Sequence, residues 1–277
     1  DIADVLAFAL DVTCIRSEAT LEHLVRTQND GTSTRMPSRI LRQTFEPSVL
    51  IREQDFVGVG SLVDALLALR RDCFEAAMRS VRAVIDATLM VGDDPALAYT
   101  LFVASLESLS QASERRQSGQ TWDFYDGRKR KVFDSAIAEA DLSPDQARIV
   151  RDAVLQVDQL SLRRRFIEFT LEHVGPDYYR QSAADAIRPI RERDLPHALA
   201  LAYDFRSRNV HALEALAPEM WAVADGADTM RWEDRSALSL EGMNRLCRHV
   251  ITTFIQKGPK EIDLTFGWKA NAHLTLD

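Results

Sequence analysis

The stretch Ser61-Leu-Val-Asp-Ala-Leu-Leu-Ala-Leu-Arg-Arg-Asp-Cys-Phe-Glu-Ala-Ala-Met-Arg-Ser-Val-Arg-Ala-Val-Ile85 decides the fold. Its apolar residues Leu62, Leu66, Leu69, Cys73, Ala76, Ala77, Val81, Val84 and Ile85 recur three and four apart. That spacing marks one buried face of an α-helix. Ser61 reads as the N-cap and Gly92 as the stop. Downstream, Asp93 or Asp94 reads as the next cap, with Pro95 in the first turn. That helix carries Leu97, Leu101, Phe102, Ala104, Leu106 and Leu109. Ser143-Pro144-Asp145-Gln146 has the form of a capping box and opens a helix with Ile149, Val150, Val154 and Val157. Further helices are read over 161–173, after a cap at Asp194, and from Ser239 to the stop at Gly258-Pro259, with a loop around Pro218 and Gly226 before the last.

Upstream the pattern weakens. Ile2 to Arg26 is consistent with short helices, and Gln28 to Arg39 reads as a loop. Residues 49–59 read as a short strand or an extended linker, and 262–276 as a second short strand or a docked tail. The organisation expected is an N-terminal appendage over 1–60, or the end of a larger region. A helical domain over 61–257 and a C-terminal tail over 258–277 follow. The fold class is mainly α, a helical bundle.

Composition agrees with a globular helical protein. The chain has 277 residues, 46% of them apolar, with only 11 glycines and 9 prolines. No apolar run approaches the roughly 20 residues a membrane helix needs. No leader with a cleavage site is visible, and because residue 1 is Asp the natural start is expected upstream. Three scattered cysteines, Cys14, Cys73 and Cys247, make no metal spacing and read as buried thiols in a reducing cytoplasm. The net charge of −8 argues against a nonspecific nucleic-acid coat. Residues 115–211 nevertheless hold 17 Lys/Arg against 15 Asp/Glu, which is compatible with a small nucleic-acid site.

Most local motifs are bland. Gly58-Val59-Gly60 lacks the rest of a phosphate loop and reads as a turn. Asp93-Asp94 fits a cap better than a metal site. The histidines form neither HExxH nor a Cys/His cluster, and no GxSxG elbow occurs. No metal or cofactor is expected. Arg128-Lys129-Arg130-Lys131, beside Trp122, Phe124 and Tyr125, could hold single-stranded nucleic acid; its ordinary reading is a solvated loop. Arg163-Arg164-Arg165 lies in a predicted helix, so the three point in different directions. At least one should face a partner or a carboxylate, although a solvated face is the default.

The segment Tyr203-Asp204-Phe205-Arg206-Ser207-Arg208-Asn209-Val210-His211 is the most informative. Arg206 and His211 stand five apart, about 140° apart in azimuth and roughly 7.5 Å in rise if the helix is ideal. They could converge if the arginine bends back or the helix ends near Asn209. Ordinary roles also exist: a histidine capping the helix end, or an arginine paired with Asp204 or Glu214.

This segment closely resembles the RxxxxH motif of the HEPN superfamily (higher eukaryotes and prokaryotes nucleotide-binding), in the branch with Tyr-x-x-Arg-Ser before the histidine. The earlier run Leu101-Phe-Val-Ala-Ser-Leu-Glu-Ser-Leu109, with Glu107, is similar to that branch's first helix. The resemblance spans about 93–257. It implies a helical bundle that dimerises and brings two RxxxxH motifs into one composite cleft. It implies a metal-independent endoribonuclease, a toxin or effector of bacterial antiviral defence, with RNA as substrate. The catalytic pair would be Arg206 and His211. Asn209, Ser207, Asp204, Glu107 and Tyr203 would support them, and Arg208, Arg163, Arg164, Arg128 and Lys129 would bind RNA. A regulatory or sensor partner, no membrane association and a cytoplasmic location complete the expectation. Two positions depart from family patterns. Leu213 stands where toxins paired with a nucleotidyltransferase often have Tyr, so control by that route is not expected. Ser207 stands where many active members have Asn or Asp.

The chemistry is coherent on its own terms. RNA carries its nucleophile, the 2′-OH, and a guanidinium can hold the scissile phosphate. An imidazole titrates near neutrality and can move the protons. Products would be a 2′,3′-cyclic phosphate and a 5′-OH. Two other readings compete: a noncatalytic HEPN module that binds RNA, nucleotide or a partner protein, and a helical scaffold in which Arg206 and His211 are structural.

Overall fold

The computed structural model describes residues 2–12, 14, 17–19, 22, 53–112, 122, 127–156, 158–184, 186–215, 217–220 and 227–261. Its helices are α1 (Ile2–Leu10), α2 (Glu53–Leu67), α3 (Arg71–Met90), α4 (Pro95–Ala112), α5 (Gly127–Glu139), α6 (Pro144–Gln156), α7 (Asp158–Glu172), α8 (Pro176–Arg180), α9 (Leu195–Ala212) and α10 (Leu240–Lys257). Strands β1 (Thr229–Trp232) and β2 (Arg235–Leu238) form one antiparallel hairpin. The fold is a mainly helical bundle, as its sequence pattern requires. Among the described residues no helix is long and apolar enough to cross a membrane.

Helix α4 is the centre. Ala98, Tyr99, Phe102, Val103, Leu106 and Leu109 are each at most 1% exposed and point to several sides. A helix apolar nearly all round must be enclosed by other elements. Helices α3, α10, α7 and α9 enclose it. Small residues let α3 and α4 approach closely, and Ser80 Oγ donates to Ser105 O at 2.8 Å. Helix α10 adds an amphipathic stripe of Leu240, Met243, Leu246, Cys247, Val250, Ile251 and Phe254, all buried. Cys73 and Cys247 are buried as expected, and burial pushes the Cys247 thiol up to about 12. Cys14 is half-buried, so one of the three expected buried thiols is not.

Several caps stand where the sequence puts them. Asp94 Oδ1 accepts from Ala96 N and Leu97 N at 3.1 and 3.0 Å. The capping box closes reciprocally, Ser143 N to Gln146 Oε1 at 3.0 Å and Gln146 N to Ser143 Oγ at 3.4 Å. Ser239 Oγ accepts from Gly242 N at 3.1 Å.

Four expectations need correction. The helix expected to start at Ser61 and run through Ile85 is two helices, broken at 68–70. There the backbone pairs with the chain leaving α10: Arg70 N donates to Pro259 O, and Glu261 N to Ala68 O, both at 3.0 Å. Leu69 stays 2% exposed, so the apolar stripe survives the break. Gly258 permits this contact, since a Cβ there would lie 2.6 Å from Phe254 O and 2.9 Å from Leu69 Cδ2. Second, residues 53–59 are helical, not a strand or an extended linker, and Gly58-Val59-Gly60 is not a turn. Gly58 and Gly60 sit within α2, where each costs about 1 kcal/mol against Ala without breaking the helix. The boundary expected at residue 60 therefore falls inside a helix. Residues 49–52 and the strand expected at 262–276 lie outside the described residues.

Third, Asp194 precedes α9 but its side chain makes no cap. A 3-10 turn, Glu192–Asp194, does that work instead, with Asp194 N and Leu195 N both donating to Arg191 O at 3.0 and 3.1 Å. Fourth, the loop expected around Pro218 and Gly226 contains a 3-10 turn, Pro218–Met220, and is followed by the hairpin. Its register pairs Thr229 with Leu238 and Trp232 with Arg235, around the two-residue turn Glu233-Asp234. Glu233 takes the left-handed conformation such turns need (φ 53°).

Candidate functional site

Helix α9 carries the site. Its buried residues Leu195, Ala198, Leu199, Ala202 and Phe205 form the stripe that seats it on the bundle. Arg206, four residues after Ala202, continues that stripe toward α4. Its Nη2 lies 3.0 Å from Glu107 Oε2, and the two side chains are 22% and 7% exposed. Of the expected supporting residues, Glu107 is the one that pairs with Arg206. Asp204 holds a different cation: Arg163 Nη2, on α7, donates to Asp204 Oδ2 at 3.0 Å. Between these pairs sits Tyr203, its ring 6.0 Å from Arg206 Cζ and 5.7 Å from the Phe166 ring. Burial and the nearby Glu107 carboxylate, the two leading causes, raise the Tyr203 hydroxyl above its ordinary value.

The far end of α9 is tied to α4 by Asn209. Thr100 Oγ1 donates to Asn209 Oδ1 at 3.0 Å, and Asn209 Nδ2 donates to Glu214 O at 2.9 Å. Asn209 thus fixes the helix end. Arg208 turns toward the hairpin side, with Cζ 5.0 Å from the Phe205 ring and Nη1 3.6 Å from Glu214 Oε2. Phe205 in turn packs edge-on against Trp232. Ser207 is half-buried and His211 is exposed.

Arg206 and His211 do not converge within one chain. Helix α9 is continuous to Ala212, and Arg206 is drawn to Glu107, so neither route to convergence is taken. His211 stands about 140° round the axis from Arg206. Leu213 ends the helix in the left-handed conformation (φ 53°, ψ 31°) and is 87% exposed.

The other expected RNA contacts are dispersed. Arg164 pairs along its own helix with Glu168. Lys129 is exposed on α5, which also includes Arg128. Trp122 is not offered for stacking: its Nε1 donates to Asp134 at 3.1 Å, and Phe133 and Arg151 pack on its ring. Phe124 and Tyr125 lie outside the described residues. Among the described residues no group of three or more His, Cys, Asp or Glu could hold a metal ion.

Two features escaped the sequence reading. One is Thr100, for which a lone threonine in an apolar helix gives no signal. The other is a cleft of about 630 Å³ on the polar face of α10, closed on other sides by Phe8, Ser61 and Ser182. No predicted site residue lines it. Its arginines are spent on structure. Arg245 binds Asp228 through Nε (2.8 Å) and Nη2, and donates through Nη1 to Tyr178 O at 3.0 Å. Arg248 uses Nε on Asn244, Nη1 on Phe8 O and Nη2 on Asp11. The signal was present in Arg245 and Arg248, cations bordering an otherwise apolar stripe. No family model matches the chain, and neither does any curated protein or solved structure.

Proposed function

We propose that the protein is a metal-independent endoribonuclease of HEPN type, acting in the cytoplasm as a toxin or effector of bacterial antiviral defence. The observation that carries this reading is the Glu107–Arg206 pair. A permanently charged guanidinium is held by a buried carboxylate at the edge of the bundle while remaining 22% exposed. Such a group is fixed in advance where negative charge develops, which is how preorganised sites stabilise transition states.

The reaction proceeds by attack of the RNA 2′-OH on the adjacent phosphorus. The bond to the 5′-oxygen breaks, leaving a 2′,3′-cyclic phosphate and a 5′-OH. Arg206 holds the phosphate. His211 takes the 2′-OH proton or delivers one to the leaving oxygen. Because His211 lies on another face of α9, a working site needs two copies of the chain, with each α9 facing the other across a composite cleft. A regulatory or sensor protein would keep such an activity silent until it is needed.

The test is incubation of the purified protein with labelled single-stranded RNA, tRNA and matched DNA in EDTA. Arg206→Lys and His211→Ala proteins run alongside, with folding followed by circular dichroism. Cutting confined to RNA, with cyclic-phosphate ends and loss in both variants, is the expected outcome. A folded wild-type dimer that leaves RNA intact, with or without a candidate activator, overturns it.

The separation of Arg206 from His211 favours a second reading, a noncatalytic HEPN module that binds RNA, nucleotide or a partner protein. Under that reading both substitutions leave binding largely intact.

A further inference from the structure

Arginines in this protein meet their partners with different numbers of guanidinium nitrogens. Arg245 and Arg248 use all three guanidinium nitrogens on protein acceptors. Arg151 grips Asp134 through both Nε and Nη2. Arg163 and Arg206 differ: each meets its carboxylate through Nη2, and each Nε is buried without a partner among the described residues. Many guanidinium–carboxylate pairs take a two-nitrogen fork, as Arg70 does on Asp72. These two do not, although they stand on either side of one residue.

That residue is Tyr203. Going round α9, Arg206 faces α4, Tyr203 faces Phe166 of α7, and Asp204 meets Arg163 of α7. The charges of Glu107, Arg206, Arg163 and Asp204 all act on the Tyr203 hydroxyl. A phenol is protonated at neutral pH in any case, so the hydroxyl remains a donor. Arg163 and Arg206 are 43% and 22% exposed, so both reach solvent. The side of α9 that packs on α4 and α7 thus carries two partly exposed guanidiniums, each paired with a carboxylate, with Tyr203 between them.

We infer that Arg163, Tyr203 and Arg206 form a phosphodiester-binding subsite, with Arg163 holding the RNA phosphate next to the one on Arg206. The inference rests on RNA being the substrate. It selects Arg163 from the run Arg163-Arg164-Arg165 and assigns Arg164 no part, because Arg164 pairs with Glu168 on its own helix.

The test uses a short RNA with 2′-O-methyl groups, which has the backbone but no nucleophile. Its binding to the full chain is followed by fluorescence anisotropy at several salt concentrations. Arg163→Gln should weaken binding about tenfold and lower the salt slope by about one, the signature of one lost phosphate contact. Tyr203→Phe should weaken it by a smaller factor. Arg164→Gln should change neither quantity. Asp204, left by Arg163→Gln, is 48% exposed and hydrates readily, so the variant keeps its fold. Equal weakening by the Arg163 and Arg164 variants, or no binding by the wild type, overturns the inference. Cutting of ordinary RNA separates the two proposals. A wild type that binds in an Arg163-dependent way but does not cut removes the nuclease and keeps the subsite. One that cuts with the same KM after Arg163→Gln removes the subsite and keeps the nuclease.

Discussion

Helices α9 and α10 have 18 residues each and both pack on α4, yet they are built to different standards. Helix α10 starts with a side-chain cap from Ser239 and ends at Gly258, and its two arginines are fully bonded. Helix α9 starts at an Asp194 that does not cap and ends at a leucine in a left-handed conformation. Its Arg206 leaves a buried Nε without a partner among the described residues. Each defect of α9 is small, and two of them, at Arg206 and Leu213, fall on the motif and its flank. Local rules are broken most often where a site needs groups that the fold alone would place otherwise. Under the proposed function the contrast would put stability in α10 and activity in α9, and it can be broken in four ways.

The largest effect is expected on α10. Asp228 is 3% exposed and owes its charge balance to Arg245, whose Cζ also lies 3.9 Å from the Tyr178 ring centroid. Arg245→Ala removes both contacts and leaves a buried carboxylate alone, a change that costs about 3–5 kcal/mol. Urea denaturation should show the unfolding free energy lowered by that amount. A loss below about 1 kcal/mol would mean that α10 does not anchor the hairpin.

Next comes the motif arginine. Arg206→Lys keeps a positive charge beside Glu107 and loses the planar fork. Stability should stay within about 1 kcal/mol of wild type, because the buried carboxylate keeps a partner. RNA cleavage should fall by a factor of about 100, the scale for removing one preorganised charge donor. A stability loss as large as that of Arg245→Ala, with cleavage unchanged, would make Arg206 a structural residue and erase the contrast.

The sequence exposed these two helices unequally. The stripe of α10, Leu240 to Phe254, and its cap at Ser239 were readable because periodicity and capping are local properties. The helix break at 68–70 was hidden for the opposite reason. Its cause is hydrogen bonding to residues 259–261, almost two hundred positions away, while Leu62, Leu66, Leu69 and Cys73 keep one helical phase across it. The hairpin was missed because Glu233-Asp234 is not an Asn-Gly or Asp-Gly turn, and Glu233 adopts a positive φ without the usual residue. In the site, Arg206 and Glu107 were each legible from the family resemblance, but their pairing was not, since Asp204 and Glu214 were the nearer candidates in sequence. Arg163 with Asp204 was legible only as an alternative among three arginines, since a run in sequence cannot say which member faces a neighbouring helix.

A smaller and opposite effect is expected at the end of α9. Leu213 has φ 53° and is 87% exposed, so it contributes strain and little packing. Leu213→Gly should stabilise the chain by about 1 kcal/mol, since glycine takes this conformation without steric cost. Thermal denaturation would register the change as a raised Tm. A lowered Tm would show that the leucine side chain is buried in the working assembly, which is the result a dimer formed through this end of α9 would give.

The smallest effect concerns pH and returns to α10. Burial, then the Arg245 charge, hold the His249 imidazole below its ordinary value of about 6.5, while Asp177 acts against them and Lys257 with them. Its ring lies 5.0 Å from Tyr178 and lines the same cleft as Arg245. The folded chain therefore binds this proton less readily than the unfolded chain does. Stability from His249 is complete above the unfolded value and is lost as pH falls from there through the folded value. Wild type should lose urea resistance between about pH 7.5 and pH 5.5, and His249→Gln should lose less over the same interval. If the two proteins decline in parallel, the slope belongs to other groups. The polar face of α10 would then be insensitive to proton uptake at this position, as expected only if His249 stays solvated enough to ionise without disturbing Arg245.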